Sequence, residues 1–421
     1  MKRTARWPHF LAAIVNGFFL GVLFIWTYFR DELGLIFPTW RASDLSLIFS
    51  IHNVFICISV FFAGFLLKKF SNRMILLFAG LGLIIGFGLF PILPLNNPDL
   101  ALVIAAILFG VIGAGSIGIA STAGYALYTQ WAPEYPGKII GSMSLALSIA
   151  PIILGALCSL LVPALGALQT IRWVGIVVGA LLIATLPLAK PPGPDANLPS
   201  PIVRAENPDQ KEFTSKEMLR LPSFWLLLAF NSVIRAGGLM IIDFGGSIAI
   251  LFGLTALLGM LYSPANGIAN IVGGVLVDKF STSKVMFICG GTMLLGAILL
   301  LTGNTAGSGP LVMLGLLIGG LSYGCGTVLS TASIRILYGQ KNYAQNWGFI
   351  QVSILLAALC GYIAGHMLDR QSGNYRSVFI LILAFALVAI ACGFGMLAYM
   401  RRHKGAKRGD LGQSETARPA S

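Results

Sequence analysis

The sequence predicts an all-α polytopic membrane protein of twelve transmembrane helices in two six-helix halves. Three observations carry that class. Only 10% of the 421 residues are charged and 57% are hydrophobic, whereas soluble domains average roughly 25% charged. The apolar residues come in uncharged runs of about 20 or more, the length a helix needs to cross a bilayer. A proline-rich, charged stretch lies almost at the midpoint, with six such runs on either side.

Span edges follow from the uncharged runs. The first half, 1–189, holds spans at about Trp7–Phe29, Leu45–Leu67, Met74–Leu93, Leu100–Tyr128, Ile139–Leu161 and Thr170–Ala189. The basic start, Met1 to Arg6, resembles a signal peptide but has no small-residue cleavage site, so the first run is read as a retained helix. The second half, 222–400, holds spans at about Pro222–Phe244 and Leu254–Val277, then an uncharged run from Val285 to Ile334. Gly303–Pro310 (G-N-T-A-G-S-G-P) is turn chemistry and splits that run in two. Spans at about Tyr343–His366 and Ser377–Met400 complete the twelve.

Between the halves, residues 190–221 form a linker kept extended by Pro191, Pro192, Pro194, Pro199, Pro201 and Pro208. Thr214 with Glu217 three residues later fits a capping box, so a short interfacial helix is expected before Pro222. The tail, 401–421, is basic and then small and polar, and is expected to be unstructured. Positive charge sets the orientation. With both termini inside, the inner segments hold 22 of the 28 Lys and Arg. The outer ones hold Arg30, Arg41, Arg172, Arg370 and Arg376, and Arg235 is left over. The net charge of +13 is thereby explained by inner loops rather than by nucleic acid. The expected location is the plasma membrane, a bacterial inner membrane, with cytoplasmic termini. All six cysteines lie in apolar segments without metal-ligand spacing and read as packing residues.

An internal repeat supports the two halves. Residues 64–71 read G-F-L-L-K-K-F-S and residues 274–281 read G-V-L-V-D-K-F-S, five matches in eight at an offset of half the chain. Gly274, Leu276, Asp278 and Lys279 resemble the loop motif of the major facilitator superfamily between the second and third helices of a half. Within that superfamily, Lys216–Trp225 (K-E-M-L-R-L-P-S-F-W) looks like the entry to the seventh helix in the oxalate/formate antiporter branch, which is related to monocarboxylate transporters. Asn342–Tyr343 and Trp131-Ala-Pro133 are similar to that branch too. The resemblance implies a secondary transporter of small carboxylates, and it implies a gating role for Gly274, Asp278 and Lys279. By that resemblance Asp278 faces the N-terminus of the fifth helix. The chain departs from the branch at Asn270 and near Ile350 or Gln351, where the oxalate antiporter carries cations, so a doubly charged oxalate loses its counter-ions. Lys68 stands where the superfamily usually has Asp.

Arg235 lies about 20 Å along its span, near the midplane, where a cation costs at least about 2.5–3.5 kcal/mol. It reads as a grip on a substrate carboxylate, a guanidinium offering a planar fork of donors. The competing reading is an ion pair with Asp243, eight residues and about 12 Å further along. Asp243 and His52 are candidates for a coupling proton. Asn266 and Asn270 share a helix face, as do Trp347 and Gln351; with Asn16 and Asn231 these are uncharged candidates for substrate contact. No nucleotide loop, metal motif or nucleophile elbow is present, so neither an enzyme nor a cofactor or metal is expected. The expected function is alternating-access transport of a small organic anion, monocarboxylate or dicarboxylate, as anion exchanger or proton symporter. Its partners are the substrate, the bilayer and a candidate proton, and the protein is expected to be a monomer. A non-transporting receptor and a drug exporter of the same fold are the alternatives.

Overall fold

The computed structural model describes residues 6–133, 136–193, 212–339, 342–371 and 373–415. Twelve helices in it are long and apolar enough to span a membrane: α1 (Trp7–Ile36), α2 (Ala42–Lys69), α3 (Asn72–Ile92), α4 (Pro98–Trp131), α5 (Ile139–Leu165), α6 (Ala167–Leu188), α7 (Pro222–Leu251), α8 (Ala256–Val277), α9 (Thr282–Ala306), α10 (Gly309–Tyr338), α11 (Gln345–Arg370) and α12 (Arg376–Arg402). Twelve crossings put both chain ends on one face, here the terminal face; the α1–α2 and α7–α8 connections lie on the opposite, loop face.

The repeated octapeptide folds twice into one shape. Phe70 ends α2 with φ −121° and ψ 148°, and Phe280 ends α8 with φ −118° and ψ 157°. Each donates its N–H to the leucine carbonyl four residues back, at 2.8 Å, and each is followed by a serine that starts the next helix. Packing repeats as well. In the first six spans α1 lies on α5, α2 on α4 and α3 on α6; in the second six α7 lies on α11, α8 on α10 and α9 on α12. Between the sets, α2 packs on α11, α5 on α8 and the end of α1 on α7. Small and apolar residues line these crossings, and the side chains left exposed, such as Phe61, Ile107 and Leu295, are apolar too. That surface suits lipid and not water.

Several expectations are corrected. The first span does not end at Phe29: after a tight 3₁₀ stretch at Gly21–Ile25 the helix continues to Ile36 and buries Arg30, which the sequence reading left in an outer segment. The turn after α9 is shorter than Gly303–Pro310, because Gly307 at φ 62° alone supplies the left-handed residue that ends the helix. The α11 region breaks at Gln351, between helices Tyr343–Ile350 and Val352–Arg370. Residues Ala106–Gly113 of α4 are π-helical. Beyond α12 the helix runs on to Glu415, into the tail expected to lack structure; extending a formed helix needs no new nucleus. The capping box stands as expected. Thr214 N–H donates to Glu217 Oε2 at 2.8 Å, Glu217 N–H returns to Thr214 Oγ1 at 3.4 Å, and the helix covers Ser215–Met218. Phe213 N–H donates to Tyr338 O, which ties this end of the linker to α10. Most of the linker, residues 194–211, lies outside the described residues, as does the side chain of Asp278.

Candidate functional site

Asp243 is 1% exposed and is met by three donors from the other half. Arg30 Nη1 donates to its Oδ1 at 2.6 Å, Trp26 Nε1 to the same oxygen at 2.9 Å, and Ser46 Oγ to Oδ2 at 2.6 Å. Arg30 is 3% exposed and is held in turn. It donates to Ser46 Oγ at 3.1 Å and to Ala42 O at 3.3 Å, and its guanidinium lies 4.4 Å from the centre of the Phe244 ring. A buried ion pair survives only when its remaining hydrogen-bonding capacity is satisfied in this way. Asp243 therefore pairs with Arg30 and not with Arg235, which settles for this conformation the alternative left open by spacing on α7. The sequence reading missed Arg30 because Arg30-Asp31-Glu32 looks like the start of a loop.

Further bonds cross between the halves around this pair. Thr27 Oγ1 donates to Ile242 O, Ser247 Oγ to an Asp31 carboxylate oxygen, and Ser263 Oγ to Ser148 O at 2.9 Å. Asp369, at the end of α11, accepts from the first N–H groups of α2, Ala42 at 2.9 Å and Ser43 at 3.3 Å; a carboxylate suits that positive helix end. Ser50 Oγ donates to Ala358 O at 2.8 Å, and Cys57 Sγ approaches Gln351 O at 3.7 Å. All these contacts lie on the loop-face side of the midplane or level with it. Closure there depends on Gly246, where a Cβ would sit 2.6 Å from Thr27 O and 3.1 Å from Asp31 Oδ2. Gly246→Ala is expected to disfavour this closed face by about 1–3 kcal/mol, the usual range for overpacking. Faster labelling of a cysteine placed at Ser50 by a membrane-impermeant thiol reagent would register it; unchanged labelling would mean that the helices part elsewhere.

Arg235 sits one layer nearer the terminal face, at residue 14 of the 30-residue α7 helix. It is partly buried. Its Nε donates to Asn231 Oδ1 at 3.3 Å, and among the described residues its two terminal amino groups donate to no protein atom and face no carboxylate. Tyr323 of α10 and Cys57 of α2 are its electrostatic neighbours, so groups from both halves surround it. Asn231 is itself held: its oxygen also accepts from Ser330 Oγ at 2.8 Å and its amide donates to Ser353 Oγ at 2.7 Å. That side chain aims the guanidinium, and its amide has one further N–H beyond the bond to Ser353.

The other predicted residues divide. Gln351, 8% exposed with Oε1 unpartnered, joins this centre through Cys57. Trp347 Nε1 is buried without a partner, one turn earlier on the same helical segment. Asn266 packs on Gly324 with its Oδ1 unpartnered, and Asn270 accepts from Thr327 Oγ1 at 3.1 Å, so both face α10. Asn16 packs on Gly124 of α4, neither end of its amide bonded. His52 gives a ring nitrogen to Phe109 O at 2.8 Å, where α4 is π-helical, and stacks on the Phe109 ring; it is enclosed by aromatic side chains within the first half. Gly274 lies near the terminal-face end of α8, with no Cβ contact within 4 Å, and Lys279 is the last residue of the helix Tyr262–Lys279 that carries that span on. Among the described residues no group of His, Cys, Asp and Glu could hold a metal ion.

Two matching six-span sets that meet along a polar seam make a membrane transporter fold, able to expose its centre to either face. The chain belongs to the Major Facilitator Superfamily, whose family model matches residues 9–265 and 239–420. It is 22% identical over 407 residues to the oxalate:formate antiporter of Oxalobacter formigenes, covering 94% of this chain and 93% of that one. It is also 22% identical over 369 residues to YhjX of Escherichia coli strain K12, an uncharacterized MFS-type transporter, covering 85% and 87%. Among solved structures it is similar to the nucleoside transporter NupG, with a TM-score of 0.69 and 12% identity over 93% of this chain and 99% of that one. It is equally similar to the E. coli xylose transporter XylE, with a TM-score of 0.69 and 13% identity over 93% and 96%.

Proposed function

We propose that the protein carries a small organic anion across a bacterial inner membrane by alternating access, with Arg235 as the anchor for a substrate carboxylate. The terminal face is the cytoplasmic one in this reading, as the excess of Lys and Arg in its segments requires. One observation carries the proposal: a midplane guanidinium, aimed by a buried asparagine, whose forked donors no protein group uses among the described residues. A carboxylate accepts two parallel N–H bonds from such a fork. The likeness to an oxalate:formate antiporter supports an anion as cargo. A single cation in this layer among the described residues favours a monocarboxylate over a dicarboxylate. The bonds across the loop face then make this the conformer that reaches the cytoplasm.

Purified protein should gain thermal stability with a subset of small monocarboxylates, and proteoliposomes should accumulate or exchange the same compounds. Stoichiometric binding without uptake would instead make the protein a receptor. Stabilisation by organic cations alone would remove the anion reading.

A further inference from the structure

The closed loop face holds an unbalanced set of charges. Arg30 is the one cation among the groups that act on Asp31, whereas Asp31, Asp243 and Glu32 bring three carboxyls. Glu32 lies beside Tyr28 and Cys158, on the α5 side. Asp243 uses the arginine and takes two further donors, so its charge is met. Among the described residues Asp31 has Ser247 alone: Oδ1 accepts from that hydroxyl, and Oδ2 is buried beside Gly246 with no hydrogen-bond partner. The remaining titratable group facing it comes from the segment between α11 and α12. There burial pushes the Tyr375 hydroxyl up to about 12, so it stays neutral. Asp369, the acid on the adjoining end of α11, is spent on the α2 N-terminus. An unpaired carboxylate enclosed in this way is far costlier than a neutral acid.

We infer that Asp31 is a proton-binding site of the closed loop face, occupied when α1 and α7 meet and emptied when they part. On closure the Asp31 carboxylate takes one proton from water at the loop face and becomes a carboxylic acid; on opening it returns that proton to the same water. Asp243 keeps Arg30, Trp26 and Ser46 as its donors in the closed state. Acid at the loop face therefore favours closure. Alkali ionises Asp31, sets two carboxylates against one guanidinium and drives the halves apart.

The linkage is one proton, so the opening constant should rise about tenfold per pH unit across the titration. A cysteine at Ser50 in a cysteine-free background, labelled by an impermeant thiol reagent without any substrate, reads that constant. Asp31→Asn should remain closed and lose the pH slope, whereas Glu32→Gln should keep it. Infrared spectra of the otherwise unaltered protein should show a protonated carboxyl at mildly acidic pH. That band should vanish in Asp243→Asn, where the freed Arg30 is available to an ionised Asp31. A slope that persists in Asp31→Asn, disappears in Glu32→Gln or follows sodium instead of pH overturns the assignment. If Asp31→Asn does not fold, absence of the carboxyl band, or its persistence in Asp243→Asn, overturns it equally. Because no substrate is used, these results are independent of whether Arg235 binds a carboxylate.

Discussion

Arg30→Gln is expected to open the loop face. Removing one member of a buried ion pair costs about 3–5 kcal/mol, because the partner stays enclosed without its counter-charge. Here the loss falls on the closed conformer alone, since Asp243 is solvated once α1 and α7 separate. The equilibrium should shift by at least about a hundredfold. Asp243→Asn should be milder, because the released guanidinium lies beside Asp31. The double change, Arg30→Gln with Asp243→Asn, should recover much of the closure, as a neutral amide pair retains Trp26 and Ser46 as donors. Distances between spin labels on the loop-face ends of α1 and α7 would follow the three variants. An additive double mutant would mean that the two charges act separately.

Arg235→Gln should leave the fold nearly untouched and remove saturable binding of the anion. Losing one side of a desolvated, hydrogen-bonded charge pair costs about 2–5 kcal/mol, at least roughly thirtyfold in Kd. The melting temperature should hardly move, for two reasons. Asn231 keeps Ser330 as a donor to its oxygen, and Asp243 is balanced by Arg30, so no carboxylate is stranded. Arg235→Lys should also bind poorly, because a compact ammonium cannot offer two parallel donors. Isothermal titration beside a melting curve separates the outcomes. Full affinity in Arg235→Gln would end the anchor role, and a collapse in melting temperature would make Arg235 a structural cation.

The twelve spans were legible because a bilayer demands long uncharged runs, and the octapeptide repeat marked the two halves because both copies must make the same tight connection. Arg235 was legible for a related reason: one cation in an apolar run has no solvent to explain it. Arg30 was not. Three charges in a row imitate a loop, and the apolar residues Leu33, Leu35 and Ile36 that continue the helix behind them are too few to signal it. Its partner stands 213 residues away, a pairing that depends on how two helices cross and leaves no trace in local pattern. Asn231 shows what a sequence leaves out. Its position one turn from Arg235 suggests a ligand contact, and no local pattern announces the bonds it makes to Ser330 on α10 and Ser353 on α11. The Gly307 turn was placed to within a few residues and the break at Gln351 was not foreseen, since a membrane helix tolerates glycine and polar residues that end a soluble one.

The carboxylate of Asp369 gives α2 a borrowed terminus. Ala42 and Ser43 owe their bonded amides to a residue more than 320 positions later in the chain, so the first turn of that helix is complete only while the loop face is shut. When the face opens, those amides meet water. Their deuterium uptake then acts as a clock: the rate at residues 42 and 43, set against that of amides deep in α2, counts the fraction of time each molecule spends open. No label is needed, and the count can be taken in native lipid.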